Sequence, residues 1–189
     1  MTMSTMSSFP MRRSALAKSA AAAIALIVAV LGGRAISAQD KYTLQVPDGL
    51  ALSDFRGYED WQNVAVSATE TSIKIIAANP AMMAAYRDGL PADGKLFPDG
   101  SKVAKIEWNA KRNLESPYLV LVPGTLKSLS FIEKDTKRFP DTHGWAYAQF
   151  KYDPTSETLA PDVTGTKCGY ECHSKVSAKD YIYTEYPLR

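Results

Sequence analysis

Phe97-Pro98-Asp99-Gly100-Ser101-Lys102-Val103-Ala104-Lys105-Ile106-Glu107-Trp108 is the stretch that decides the fold. Its first four residues make a turn, with proline presetting one dihedral and Asp-Gly accommodating the reversal. Beyond the turn the stretch alternates. Successive side chains of an extended chain point to opposite faces. Ala104, Ile106 and Trp108 therefore share one face, and Val103, Lys105 and Glu107 the other. That pattern describes a strand within a sheet that buries at least one face.

The same pattern recurs on both sides of this stretch. Val64 and Val66 alternate with small residues, and Ile73-Lys74-Ile75-Ile76 is rich in β-branched side chains, so both predict strands. Downstream, Tyr118 to Val122, Leu126 to Glu133 and Trp145 to Tyr152 predict three more. Pro123-Gly124, Phe139-Pro140-Asp141 and Asp153-Pro154-Thr155-Ser156 separate the segments. Asn79-Pro80 starts a helix, as an N-cap followed by proline at the first helical position. Met82, Met83 and Tyr86 come next at helical spacing, and Gly89 ends it. Residues 39–52 form an irregular lead-in with a turn at Pro47-Asp48-Gly49. Ser53 is placed to cap a short helix through Trp61, with Asp54 favourable in its first turn. The expected fold class is α+β: a mostly antiparallel sheet with one or two packed helices and a C-terminal attachment loop. No internal repeat is visible.

The N-terminal region differs in kind. Residues 1–38 carry four basic side chains (Arg12, Arg13, Lys18, Arg34) and no acid. They also hold the only long apolar run, Ala20 to Leu31. A bilayer span takes about 20 apolar residues, so this shorter run fits a signal peptide, with an uncleaved tether as the alternative. Ile36-Ser37-Ala38 supplies a small-residue cleavage site, and Arg12-Arg13 leaves open a twin-arginine or a general export route. The expected organisation is a signal peptide over 1–38 and a single domain over 39–189, exported to a bacterial periplasm. Beyond residue 38 there are 18 basic and 20 acidic residues, a net charge of −2. A nucleic-acid partner recruited by net charge is excluded, and so is disorder, given the supply of aromatic and β-branched residues.

Chemistry-bearing residues concentrate near the C-terminus. The only two cysteines lie in Cys168-Gly169-Tyr170-Glu171-Cys172-His173. A c-type haem site ordinarily reads Cys-x-x-Cys-His. There, two thiols add across the haem vinyl groups and the adjacent histidine reaches the iron. Here three residues separate the cysteines, and Gly169 offers the flexibility to bulge a loop. Two other readings fit the same residues: a Cys168–Cys172 disulfide in an oxidising compartment, and zinc held by Cys168, Cys172, His173 and His143. A histidine next to the second cysteine favours haem. His143, in Asp141-Thr142-His143-Gly144, is a distal ligand, an acid–base group or a solvated loop residue. Met82 and Met83 are the only methionines after residue 38, and their helix reads as core packing, which argues against a His/Met electron-transfer iron.

These residues resemble the cytochrome P-460 family of periplasmic haem c proteins. The likeness is carried by Gly57-Tyr58-Glu59-Asp60-Trp61, by the Phe97–Trp108 stretch, by Gly144-Trp145-Ala146-Tyr147-Ala148-Gln149-Phe150, and by Lys167 to His173 with Lys179-Asp180-Tyr181-Ile182-Tyr183-Thr184-Glu185-Tyr186. The resemblance implies one covalently attached haem c per chain, with Cys168 and Cys172 as attachments and His173 as the axial ligand. It also implies a five-coordinate iron and a homodimer. Members of the family oxidise hydroxylamine, using a bond between a lysine and the haem ring. The related cytochrome c′-beta branch lacks that bond and binds nitric oxide.

Lys105 is the expected cross-linking lysine, ahead of Lys102 and Lys74. Asp162, Glu107 and Glu133 are the candidate proton-accepting carboxylates. The expected function is oxidation of hydroxylamine or a similar small nitrogen compound, with electrons passing to a periplasmic acceptor. The alternatives are a cytochrome c′-beta-type gas binder or electron carrier, and a structural domain without haem.

Overall fold

Six strands pair in chain order into one antiparallel sheet in the computed structural model, which describes residues 41–189 apart from Asp48, Asp93, Val163 and Thr164. The signal peptide expected over 1–38 lies outside the described residues. The strands are β1 (Gln62–Ala68), β2 (Ser72–Ala78), β3 (Lys102–Arg112), β4 (Leu121–Lys134), β5 (Trp145–Asp153) and β6 (Thr158–Pro161). Among the described residues two α-helices accompany them, α1 (Pro80–Arg87) and α2 (Gly165–His173). The α+β expectation stands. Among the described residues no helix is long and apolar enough to cross a membrane.

Both faces of the sheet are buried, by different parts of the chain. On one face Ala104, Leu129, Phe131, Ala146, Ala148 and Phe150 pack against Val46, Leu50 and Leu52 of the N-terminal lead-in and Phe55 just after it. Phe131 is the hub, with Phe55 at 4.5 Å, Tyr58 at 5.1 Å and Phe150 at 6.0 Å. On the other face Ile76, Ala78, Val103, Trp145 and Tyr147 meet Met82, Met83 and Tyr86 of α1, together with Tyr181 and Ile182. Each of the large apolar side chains among these, fully buried, contributes about 1.5–3 kcal/mol. The alternation read in β3 therefore separates two cores, with Ala104 and Ile106 in the first and Val103 in the second. Trp108 joins neither buried cluster, because the β3–β4 ladder shifts register between Glu107 and Trp108.

The start of α1 is as the sequence predicts: the Asn79 side chain accepts from the Met82 N–H at 3.0 Å. Other boundaries differ. The short helix expected from Ser53 to Trp61 is two 3₁₀ turns, Leu52–Phe55 and Tyr58–Asp60. Gly57 breaks them at φ 79°, and Asp54 caps the first by accepting from the Ala51 N–H at 3.0 Å. Pro123-Gly124 does not divide two strands. β4 runs through it, because Pro123 faces Ala110 where the ladder is already shifted. β6 is a strand that the sequence pattern does not predict. The C-terminal attachment loop is α2, a helix.

Candidate functional site

The second face of the sheet carries an orderly grid. Register aligns Ala78, Val103, Ile132 and Tyr147 in one row, and Ile76, Lys105, Ser130 and Gln149 in the next. A cavity of about 240 Å³ sits on these rows, floored by Ile76, Val103, Lys105, Ser130 and Ile132. His173 from the end of α2 and the strap Ile182-Tyr183-Thr184 complete its wall. Two residues that the sequence singles out separately, Lys105 and His173, thus line one space.

His173 is fixed from several directions. Its Nδ1 lies 2.6 Å from the Tyr181 carbonyl oxygen, which can only accept, so Nδ1 carries the proton and Nε2 keeps its lone pair. Tyr147 packs on one side of the ring at 4.7 Å and Tyr183 at 5.1 Å. Burial lowers the His173 pKa, the bond to Tyr181 opposes this, and the Lys105 charge lowers it further; the net direction is down.

Gly169 explains how α2 comes so close to β5. A Cβ at this position would lie 2.4 Å from Tyr147 Cβ and 2.5 Å from its Cγ. Close approach of helix to strand, not loop flexibility, is what this glycine supplies. The cysteines are exposed, free thiols four residues apart, and so share one face of α2. His173 follows Cys172 about 100° further round the helix, which turns its ring inward while the thiols stay accessible.

Lys105 is half-buried on its strand. Burial lowers its pKa below the usual lysine value, and Lys74 and Lys127 add to this against the opposing charge of Glu107. Its amine is thereby shifted toward the neutral, nucleophilic form. Lys102 points to the opposite face, where its Nζ lies 3.2 Å from Glu133 and donates to the Asp54 carbonyl at 2.7 Å. Lys74 sits beside Glu107 in the next row of the grid.

The three candidate carboxylates separate. Glu133 lies with Lys102 on the far face and also meets Arg138 at 3.3 Å. Asp162 pairs with Lys151 at 2.9 Å. Glu107 shares the face of Lys105, two residues along, and accepts from Lys127 Nζ at 2.9 Å. Burial raises the Glu107 pKa, but the bond to Lys127 and the charges of Lys74 and Lys127 outweigh it, so the net direction is down.

His143 is exposed, with its Nδ1 2.8 Å from the Tyr170 hydroxyl, and does not line the cavity. Among the described residues no three His, Cys, Asp or Glu side chains converge to hold a metal ion. Met82 and Met83 are packed in the core.

Sequence reasoning misses the strap and two hydroxyls. Ser130 Oγ, on the cavity floor, and the Tyr147 hydroxyl, beside the His173 ring, are buried without a hydrogen-bond partner. Register alone places Ser130 next to Lys105 once β4 is aligned. Nothing in the sequence marks its hydroxyl as orphaned. A family model described as Cytochrome P460 matches residues 55–184, and no curated protein matches the chain.

Proposed function

The chain belongs to the cytochrome P460 family and is therefore a haem protein, and from that premise we propose that it is an exported c-type cytochrome acting on hydroxylamine or a similar small nitrogen compound. In this reading Cys168 and Cys172 would hold one haem through thioethers, His173 Nε2 would ligate its iron, and Lys105 would be the lysine that bonds the ring. The observation that carries it is the shared cavity of Lys105 and His173, with two accessible thiols on the helix that ends in His173.

The donor set fits such a group. A histidine whose Nδ1–H is engaged by a carbonyl presents Nε2 for coordination in a fixed orientation. Apolar side chains on the cavity floor suit the body of a macrocycle, and the two partnerless hydroxyls suit polar groups that a guest would bring. When bound, the haem would supply redox chemistry at its iron, with His173 Nε2 as the protein donor. Lys105 presents a half-buried amine to the cavity, and Glu107 holds a carboxylate on the same face of the strand.

The remaining inferences are a periplasmic location reached through the 1–38 segment, a periplasmic electron acceptor, and a homodimer. The tip of the β3–β4 hairpin, where Leu114, Tyr118 and Leu119 are 83%, 76% and 77% exposed, is the apolar surface offered to a second copy.

The deciding experiment is the optical spectrum of the protein, exported from a host with haem c maturation machinery, in ferric and dithionite-reduced forms. A broad, strongly red-shifted reduced Soret band that reverts in Lys105→Ala supports the cross-link, and hydroxylamine turnover with an electron acceptor then tests the enzyme. A sharp c-type spectrum unchanged in Lys105→Ala supports nitric oxide binding instead. No Soret band at all removes the c-type reading.

A further inference from the structure

A buried ion pair lies directly behind the carbonyl that orients His173. Lys134 Nζ and Asp180 Oδ2 are 2.5 Å apart, with side chains only 3% and 2% exposed. The same carboxylate accepts the Phe97 N–H at 2.8 Å and the Trp145 Nε1–H at 3.0 Å. Asp180 is thus tied to three separated pieces of chain: the turn before β3, the end of β4 and the start of β5. Asp180 and Tyr181 are consecutive residues in the left-handed region, at φ 48° and 63°. Neither is glycine, and a side chain makes this conformation costly, so it persists only where surrounding contacts dictate it. The Asp180 carboxylate is the side-chain contact that ties this turn to the sheet, beside the backbone bonds from Asp180, Tyr181 and Ile182 N–H to the Ser177, Val176 and Lys179 carbonyls. The next residue, Tyr181, presents the carbonyl that accepts from His173 Nδ1.

We propose that Asp180, held by Lys134, Trp145 and the Phe97 N–H, is a positioning residue for His173: it fixes the Tyr181 carbonyl and so sets the orientation and donor strength of the Nε2 that faces the cofactor. The proposal rests on His173 being the axial ligand. A stronger acceptor at Nδ1 makes Nε2 the better donor, which favours the oxidised metal. Burying two charges is costly unless the pair is tightly bonded, and an apolar pair of similar size would stabilise the same spot about as well. The charge pair instead adds a directional tie to backbone that a hydrophobic contact cannot supply.

The test uses the full exported holoprotein and two readouts besides activity: the haem midpoint potential and the iron–histidine stretching frequency of the ferrous form by resonance Raman. Trp145→Phe removes one bond to Asp180 while keeping a ring in the core. Lys134→Met/Asp180→Asn removes both charges without leaving one unpaired. Lys102→Met/Glu133→Gln removes the ion pair of the opposite face as a control for general destabilisation. The expected result is a lower stretching frequency and a higher potential in the first two, larger in the double variant, and no shift in the control. Unchanged values in a haem-loaded Trp145→Phe, or an equal shift in the control, overturn the proposal. A wild-type protein without covalent haem, or a His173→Ala variant with wild-type spectra, overturns instead the ligand assignment on which it rests.

Discussion

Replacing Gly169 by alanine tests the packing that seats the histidine. The added Cβ would lie 2.4 Å from Tyr147 Cβ, whereas carbon atoms rest at about 3.5–4.0 Å. More than about 1 Å of separation is missing. Tyr147 Cβ is fixed to the backbone of β5, so no rotamer change clears it, and α2 must retreat. Overpacking of this kind costs about 1–3 kcal/mol, and a clash with a backbone-fixed atom belongs at the upper end. Alanine returns about 1 kcal/mol of helix propensity, leaving a net loss of about 2 kcal/mol. For a domain of this size that lowers Tm by about 4–8 °C. Thermal and urea denaturation read the loss directly. The retreat also draws His173 Nδ1 away from the Tyr181 carbonyl, so the stability loss should come with an altered Soret band in the holoprotein. A Gly169→Ala variant as stable as the wild type, or more so, would show that propensity outweighs packing and refute the reasoning. A double-mutant cycle sharpens this: Tyr147→Gly, which removes the clashing atom, should absorb the alanine, and Tyr147→Ala, which keeps it, should not.

Phe131→Ala should cost about 3–5 kcal/mol, seen in urea unfolding, because it empties the hub that Phe55, Tyr58 and Phe150 share. Lys105 loses part of its proton affinity on folding. The unfolded chain therefore binds more protons between the lowered value and 10.5, and stability rises with pH across that window. Lys105→Met, in a haem-free Cys168→Ser/Cys172→Ser background, should accordingly stabilise the protein at pH 7, with the gain shrinking as pH approaches 10.5. A gain that holds constant with pH would contradict the burial of the amine. Cys172→Ser should leave at most one thioether, measurable as a red shift of the pyridine haemochrome α band from the restored vinyl group, while His173→Ala should abolish the wild-type axial signature in the ferrous spectrum. Leu119→Asp should shift light scattering from dimer to monomer with the spectrum unchanged; an unaltered mass would move the interface elsewhere.

Local pattern carried much of the fold. The Val103/Ala104 alternation separated two faces that prove to be two cores, and Asn79-Pro80 set the start of α1 to the residue. Where the sequence misled, a tertiary partner had overridden a local signal. Pro123-Gly124 reads as a break, yet β4 continues because the pairing strand is already out of register there. Gly169 reads as loop flexibility, yet it is a contact with a tyrosine 22 residues upstream that no spacing rule encodes. The site was half legible. Cys168, Cys172 and His173 form a motif; Lys105 was a candidate that the resemblance suggested, and alternation added only the face it occupies. The strap, the Lys134–Asp180 pair and the orphaned Ser130 hydroxyl depend on register and on long-range closure, which a single sequence does not display.

Chain order gives the cavity a history. Every strand pairs with its neighbour in sequence, so as the polypeptide emerges the sheet can assemble piece by piece, each new strand finding its template already present. α2 and the strap come after all six strands. If assembly follows chain order, the floor of the cavity forms before its roof, and the two thiols lie on the segment still to dock. A rigid, bulky guest then has no finished doorway to pass: it can be bonded to the late segment first and carried in as that segment closes. In that order of assembly the docking of α2 and the seating of a guest bonded to it would be one event.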